Sequence, residues 1–200
     1  MPMCVYLVGT YDEQGRPDAS LIDRAGTAGS FGLTQGFVYI STRPDSQTKK
    51  NILAKKAFTL NIPSVDLLDA VDFCGTVSAA SGDRYIDKFA AAGLTPTRGK
   101  YVDAPMVEEC PVSMECQVLK MKTFGEGSFT MFIASVKSVW IEKSVLNGPG
   151  SRNPKFPDPR KIKQIVYYPG AGEGSGYYVL GKWLGNPEEV YTRKFPSGLR

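Results

Sequence analysis

Residues 114–140 read Met-Glu-Cys-Gln-Val-Leu-Lys-Met-Lys-Thr-Phe-Gly-Glu-Gly-Ser-Phe-Thr-Met-Phe-Ile-Ala-Ser-Val-Lys-Ser-Val-Trp. Met114, Cys116 and Val118 alternate with polar neighbours. After a Gly-containing turn over Phe124 to Ser128, the pattern resumes at Thr130, Phe132, Ala134 and Val136 and runs on to Trp140. A period of two places alternate side chains on opposite faces, so this stretch predicts two long strands joined by a turn. Lys120, Lys122 and Lys137 are expected to face solvent. A chain organised around such a meander belongs to the mainly β class.

Toward the N-terminus the same character continues in shorter pieces. Val5 to Tyr11, Ala19 to Arg24 and Phe37 to Ser41 are rich in β-formers, and an Asp-Glu-Gln-Gly-Arg-Pro turn separates the first two. From Ser46 to Lys56 the pattern changes to a cap residue followed by Ile52, Leu53 and Ala54 among lysines, which is a helix start. Ala57 to Ile62 returns to strand before Pro63. Leu67, Leu68, Val71, Phe73 and Cys74 are spaced for a second helix, and Ile86, Phe89 and Ala90 for a third that stops at Gly93. Toward the C-terminus, 147–160 reads as a Pro/Gly-rich, basic surface loop. Ile165 to Tyr168 and Tyr177 to Leu180 are two further strands. Seven or so strands with a few short helices predict one barrel-like α+β or mainly β domain over 1–185, with a tail at 186–200.

Composition narrows the chemistry. Among 200 residues there are 24 basic and 20 acidic ones, a net charge of +4 that is too mild and dispersed for a nucleic-acid footprint and better suited to a small anion. No apolar run of the roughly 18–20 residues needed to cross a bilayer occurs, so a cytoplasmic location is expected. The four cysteines, Cys4, Cys74, Cys110 and Cys116, have no C-x-x-C spacing and are expected to be free thiols, the last three in the core. The chain contains no histidine. Ser-His-Asp and Cys-His hydrolysis, imidazole-ligated metals and histidine acid/base catalysis are therefore excluded, and any reaction must use a cofactor, a carboxylate, a lysine or a cysteine.

Three segments could carry chemistry. Gly170, Gly172, Gly174 and Gly176 are spaced G-x-G-x-G-x-G with no helical pattern after them, which suits a hairpin loop better than a dinucleotide fingerprint. Gly26-Thr27-Ala28-Gly29-Ser30-Phe31-Gly32 is a run of small residues whose backbone could approach a flat ligand, or simply a tight strand connection. Ser41-Thr42-Arg43-Pro44-Asp45-Ser46-Gln47-Thr48-Lys49 leads from a strand into a helix start. Free amides, the Ser46 and Thr48 hydroxyls and the charge of Arg43 or Lys49 would make a phosphate site, while capping by Ser46 among solvated lysines accounts for the same residues.

The order of several motifs adds to this. Val8-Gly9-Thr10-Tyr11-Asp12-Glu13-Gln14-Gly15-Arg16-Pro17-Asp18-Ala19 precedes Val38-Tyr39-Ile40-Ser41-Thr42-Arg43-Pro44-Asp45, with Lys49-Lys50-Asn51-Ile52 and then Phe58-Thr59-Leu60-Asn61-Ile62-Pro63. Asp87-Lys88-Phe89, Asp103-Ala104-Pro105, Met114-Glu115-Cys116 and Tyr177-Tyr178 follow in turn. Over roughly Cys4 to Gly185 the chain resembles the flavin reductase-like, flavoredoxin-type proteins. That resemblance implies a homodimeric split β-barrel holding FMN non-covalently near the subunit interface. It implies that Thr27, Ala28, Gly29, Ser30 and Phe31 border the isoalloxazine and that Ser41, Thr42 and Arg43 lie along the ring or ribityl chain. Ser46, Thr48 and Lys49 would sit nearest the phosphate, with Lys88 and the Ser78 to Arg84 loop closing that end. Leu33-Thr34-Gln35-Gly36 departs from the family pattern beside the ring pocket. Two activities follow as expectations: an NAD(P)H-dependent flavin reductase using a small-molecule electron donor, or an electron carrier served by a redox partner protein. No nucleic acid or membrane partner is expected. Hydride transfer to a flavin needs no protein base, so a histidine-free chain is compatible with it.

Overall fold

The computed structural model describes residues 1–28, 36–81, 84–125, 127–151, 153–169 and 174–181. The long meander is β11 (Val112–Thr123) and β12 (Thr130–Ile141), paired antiparallel from Val112↔Ile141 to Thr123↔Thr130. Thr130, Phe132, Ala134 and Val136 are all buried, as their alternation requires, and Lys120, Lys122 and Lys137 are exposed.

Around this hairpin the chain adds β1 (Met3–Cys4), β2 (Tyr6–Tyr11), β3 (Pro17–Ile22), β4 (Ala25–Thr27), β5 (Phe37–Thr42) and β6 (Ala57–Ile62). Between β6 and the meander lie β7 (Ala80–Ser81), β8 (Arg84–Tyr85), β9 (Pro96–Arg98) and β10 (Pro105–Val107). After the meander come β13 (Ile165–Tyr168) and β14 (Gly176–Val179). The helices are α1 (Gln47–Lys55), α2 (Leu68–Thr76), α3 (Lys88–Ala91) and α4 (Pro159–Ile162). The main sheet has seven strands in the order β3-β2-β6-β11-β12-β5-β4, and it curls until β3 approaches β5. Curling a twisted sheet protects its edges and encloses one core. That core is Val8, Val38, Ile40, Phe58, Leu60, Met114, Cys116 and Phe132, closed at one end by Ile52 of α1. A second cluster, Val5, Leu7, Val71, Cys74, Phe89 and Ile165, packs α2 and α3 on the outside of β2 and β3.

Local chemistry explains the helix ends. Ser46 Oγ accepts from Lys49 N at 3.2 Å to open α1, and Lys56 closes it in the left-handed region at φ 55°. Asp87 Oδ1 accepts from Ala90 N at 3.1 Å to open α3, so this helix begins two residues later than the apolar spacing from Ile86 suggests. Gly9 lets β2 pass directly beneath β10. A Cβ there would overlap the Pro105 carbonyl oxygen and lie 2.5 Å from Thr59 Oγ1.

Two readings from sequence need correction. Gly26 and Thr27 belong to a short strand, β4, which pairs antiparallel with β5 at the edge of the sheet opposite β3. The basic loop after Asn147 ends in α4, where Asp158 accepts from Arg160 N at 3.0 Å and nucleates one turn. β13 and β14, which flank the glycine-rich segment, pair antiparallel, and β13 also pairs with β1; residues 170–173 of that segment lie outside the described residues. Residues 182–200, including the expected tail, lie outside the described residues. Among the described residues no helix is long and apolar enough to cross a membrane.

Candidate functional site

Strand alternation on β3 puts Ser20 on the face it shares with its partner Val8, and Ser20 together with Asp23 and Arg24, just past the strand, forms one wall of a cleft of about 400 Å³. This lies within the roughly 300–1,000 Å³ usual for small-molecule sites. The start of α1 supplies Ser46 and Thr48, with Ser41 and Arg43 from the segment before it. The end of α2 and the chain after it, Asp72 to Ala79, form the facing wall. Lys88 comes from α3, and Phe129, Tyr167 and Tyr177 complete the lining.

One part is polar and closely wired. Lys88 is 2% exposed, and its ammonium lies 2.9 Å from Asp18 Oδ1. It also donates to Ser20 Oγ at 3.0 Å and to the Cys74 carbonyl at 3.4 Å. Thr48 Oγ1 donates to the same Ser20 oxygen at 2.8 Å. Ser20 thus accepts twice, and its own O–H remains to donate toward an acceptor in the cleft. Burial raises the proton affinity of Asp18 above the ordinary carboxylate range, and Lys88 opposes that rise. The Ser20 O–H beside a buried ammonium suits an oxyanion such as a phosphate, while the Ser46 O–H donates to the Arg43 carbonyl at 3.0 Å.

The lining also includes aromatic rings. The rings of Tyr167 and Tyr177 lie 5.4 Å apart at 47°, and Tyr177 donates to Asp72 Oδ1 at 2.7 Å. Burial first, and then the bond to Asp72, push the Tyr177 phenol upward, so it is a neutral donor at physiological pH. The Arg24 guanidinium sits 4.7 Å above the Phe129 ring. A flat ligand with an anionic tail suits this combination.

Of the residues singled out from sequence, Ser41, Arg43, Ser46, Thr48 and Lys88 come together in the cleft. Thr42 does not face it. Alternation on β5 turns Thr42 inward between Ser41 and Arg43, where its hydroxyl donates to the Thr130 carbonyl at 3.5 Å. Its side chain is therefore a core group and cannot lie along a ligand in the cleft. The backbone N–H of Lys49 serves the Ser46 cap, and Lys49 is not part of the wall. Thr27 and Ala28 also lie off the wall, Ala28 N donating to the Phe37 carbonyl at 2.8 Å. Gly29, Ser30 and Phe31 lie outside the described residues.

Sequence reasoning missed Ser20 and Asp18. Their spacing of two on a strand marks a shared face, but Lys88 stands 68 positions from Ser20, and nothing local announces the contact. The cysteines are free, and Cys74, Cys110 and Cys116 are buried. Burial pushes the Cys74 thiol up to about 11 and raises Cys110 and Cys116 as well, so none is a thiolate nucleophile near neutral pH.

The family described as "Flavin reductase like domain" matches residues 1–169. The fold is similar to a flavoredoxin of Desulfovibrio vulgaris (Miyazaki F), with a TM-score of 0.78, 31% identity, and coverage of 93% of this chain and 91% of that one. It is also similar to a structure from Shewanella frigidimarina NCIMB 400 described as having a split barrel domain, at a TM-score of 0.75 and 20% identity over 93% and 86% of the two chains. An uncharacterized protein of Aquifex aeolicus is 33% identical over 86 residues, which span 42% of each chain, under half the length of that relative.

Proposed function

The chain belongs to the flavin reductase-like domain family, and from that premise we propose that it is an FMN-binding oxidoreductase that passes hydride between a nicotinamide donor and the flavin. The observation that carries this reading is the cleft itself, which brings together a buried ammonium, the hydroxyls of Ser20, Ser46 and Thr48 and two tyrosines. Lys88, Ser20, Ser46 and Thr48 would hold the phosphate, with Arg43 adding charge at the mouth, and the tyrosines would receive the apolar part of the ligand. When bound, FMN supplies the hydride-accepting centre, so the protein needs no histidine and no reactive thiol. The residues bind, orient and exclude water; none has to exchange a proton with the substrate.

A second reading has one specific observation behind it, namely that the 31% identical structure is a flavoredoxin. Under that reading the bound FMN carries electrons for a protein partner and no nicotinamide site is used. The purified protein is expected to be yellow with flavin absorption bands. Anaerobic NADH or NADPH should bleach it under the reductase reading and leave it oxidised under the carrier reading. A colourless protein that takes up no added FMN refutes both.

We also propose a homodimer acting in the cytoplasm. Leu119, Met121 and Phe37 are each close to half exposed on the large sheet, apolar surface that a second copy would cover in part. Sedimentation at twice the chain mass is the expected result.

A further inference from the structure

We propose that Asp18 is a proton acceptor that couples entry of an anionic group into the cleft to uptake of one proton from solvent. The inference rests on the phosphate end of the reading above and extends it to a residue outside the cleft lining.

Asp18 is 2% exposed and lies behind Ser20 on β3. Beyond its ion pair with Lys88, no side chain among the described residues donates to either carboxylate oxygen. The floor of the cleft is therefore neutral overall: its one buried cation is already paired. A phosphate dianion reaching Ser20 and Lys88 would set three negative charges against one ammonium in a region sheltered from water. Like charges that close favour the protonated acid. A proton from solvent forms an O–H bond on Asp18, no bond in the ligand breaks, and the occupied floor moves from −2 to −1. Asp18 acts through Lys88, so it is a positioning and charge-setting residue and touches no reacting atom.

The neighbours of Asp18 leave it as the acceptor. Asp12, from the β2–β3 turn, is held by the Arg16 guanidinium at 2.6 Å, which keeps its carboxyl below the ordinary range against the opposing effect of burial. Cys74 from α2 is pushed up to about 11 and Tyr85 from β8 up to about 12, so both stay protonated near neutrality. Arg16 stacks 4.1 Å over the Tyr85 ring, and α3 presents Lys88. From α1 and β2 come the uncharged Thr48, Asn51 and Thr10. Asp23 and Asp72 also line the cleft and are engaged by Arg24 and Tyr177.

The test is calorimetric titration of the whole protein with FMN and with riboflavin at pH 8, in two buffers of different ionisation enthalpy. At that pH free FMN is a dianion, since its second phosphate pKa is about 6. Wild type is expected to take up close to one proton with FMN and none with riboflavin, and its FMN Kd should weaken by up to tenfold per pH unit. Asp18→Asn should abolish the uptake, flatten the profile and bind FMN more tightly than wild type at pH 8. An Asp18 that merely held Lys88 in place would give weaker FMN binding on substitution and an unchanged slope, which would overturn the proposal. Uptake that persists in Asp18→Asn would also overturn it by moving the proton elsewhere. Should Asp18→Asn not fold, the wild-type comparison of FMN with riboflavin decides: equal proton counts sink the inference. Binding of FMN without proton uptake refutes this inference alone, whereas failure of both flavins to bind refutes the function proposed above and this inference with it.

Discussion

Replacing Lys88 by Met keeps the apolar stem of the side chain and removes its charge, leaving Asp18 buried with no cation. Breaking a buried pair in this way costs about 3–5 kcal/mol. The chemistry of Asp18 sets a ceiling on the electrostatic part. The carboxyl can escape by taking a proton, and holding it protonated at pH 7 against an unfolded pKa of about 3.9 costs about 4 kcal/mol at 1.36 kcal/mol per unit. The folded-state pKa in this variant is raised, so the native state holds a proton that the unfolded chain has lost. Stability therefore falls as pH rises from about 4 toward the folded pKa. The deficit relative to wild type should be about 1–2 kcal/mol at pH 5, where the lost hydrogen bond to Ser20 contributes a share that does not vary with pH, and should grow by about 3 kcal/mol by pH 7.5. Urea unfolding of the flavin-free variant and wild type at both pH values measures this. The double variant Asp18→Asn/Lys88→Met removes both charges and should recover most of the loss at pH 7.5. A deficit equal at the two pH values, or a double variant no better than the single one, would show that Lys88 contributes packing and that the ion pair reasoning is wrong.

Ser46→Ala with Thr48→Ala removes two hydroxyls from the phosphate end and should weaken FMN by roughly 10- to 100-fold, about 1–3 kcal/mol, while riboflavin affinity stays the same; fluorescence titration with the two flavins separates the effects. Gly9→Ala forces a methyl group onto the Pro105 carbonyl and Thr59 Oγ1, and because backbone cannot move aside as a side-chain tip can, a loss at the upper end of the usual overpacking cost, about 3 kcal/mol, should appear in urea unfolding. The thiols of Cys110 and Cys116, buried and pushed above their ordinary range, should stay unlabelled by an aromatic disulfide reagent at pH 8 in the native protein and react fully in urea, with partly exposed Cys4 the first to react.

The fold was legible wherever a single strand carried its own signal. β12 buries Thr130, Phe132, Ala134 and Val136 in strict alternation, so its sequence pattern and its environment say the same thing. β4 carried no such signal. Ala-Gly-Thr has no side chain large enough to show a period, and its strand conformation comes from pairing with Tyr39 and its neighbours on β5. The site divides along the same line. Ser46 is readable because a helix cap is a local event, and the hydroxyl that caps α1 stands at the cleft by virtue of where that helix starts. The resemblance, carried over residue by residue, places Thr42 beside the ligand as well, where its side chain does not point. Ser41-Thr42-Arg43 looks like three equivalent contacts when written as a string, yet strand geometry can offer only alternate residues to one side, and Thr42 is the one turned to the core. Asp18 and Lys88 lie at the far limit of this reasoning. Asp18 alone reads as a solvated charge and Lys88 enters only through the family resemblance; their pairing arises when α3 packs across β3 and takes both out of water. Once buried they must pair, since an isolated charge there would cost several kcal/mol. Tertiary packing, which no local pattern encodes, is thus what turns two ordinary surface residue types into the charge-setting element of the cleft.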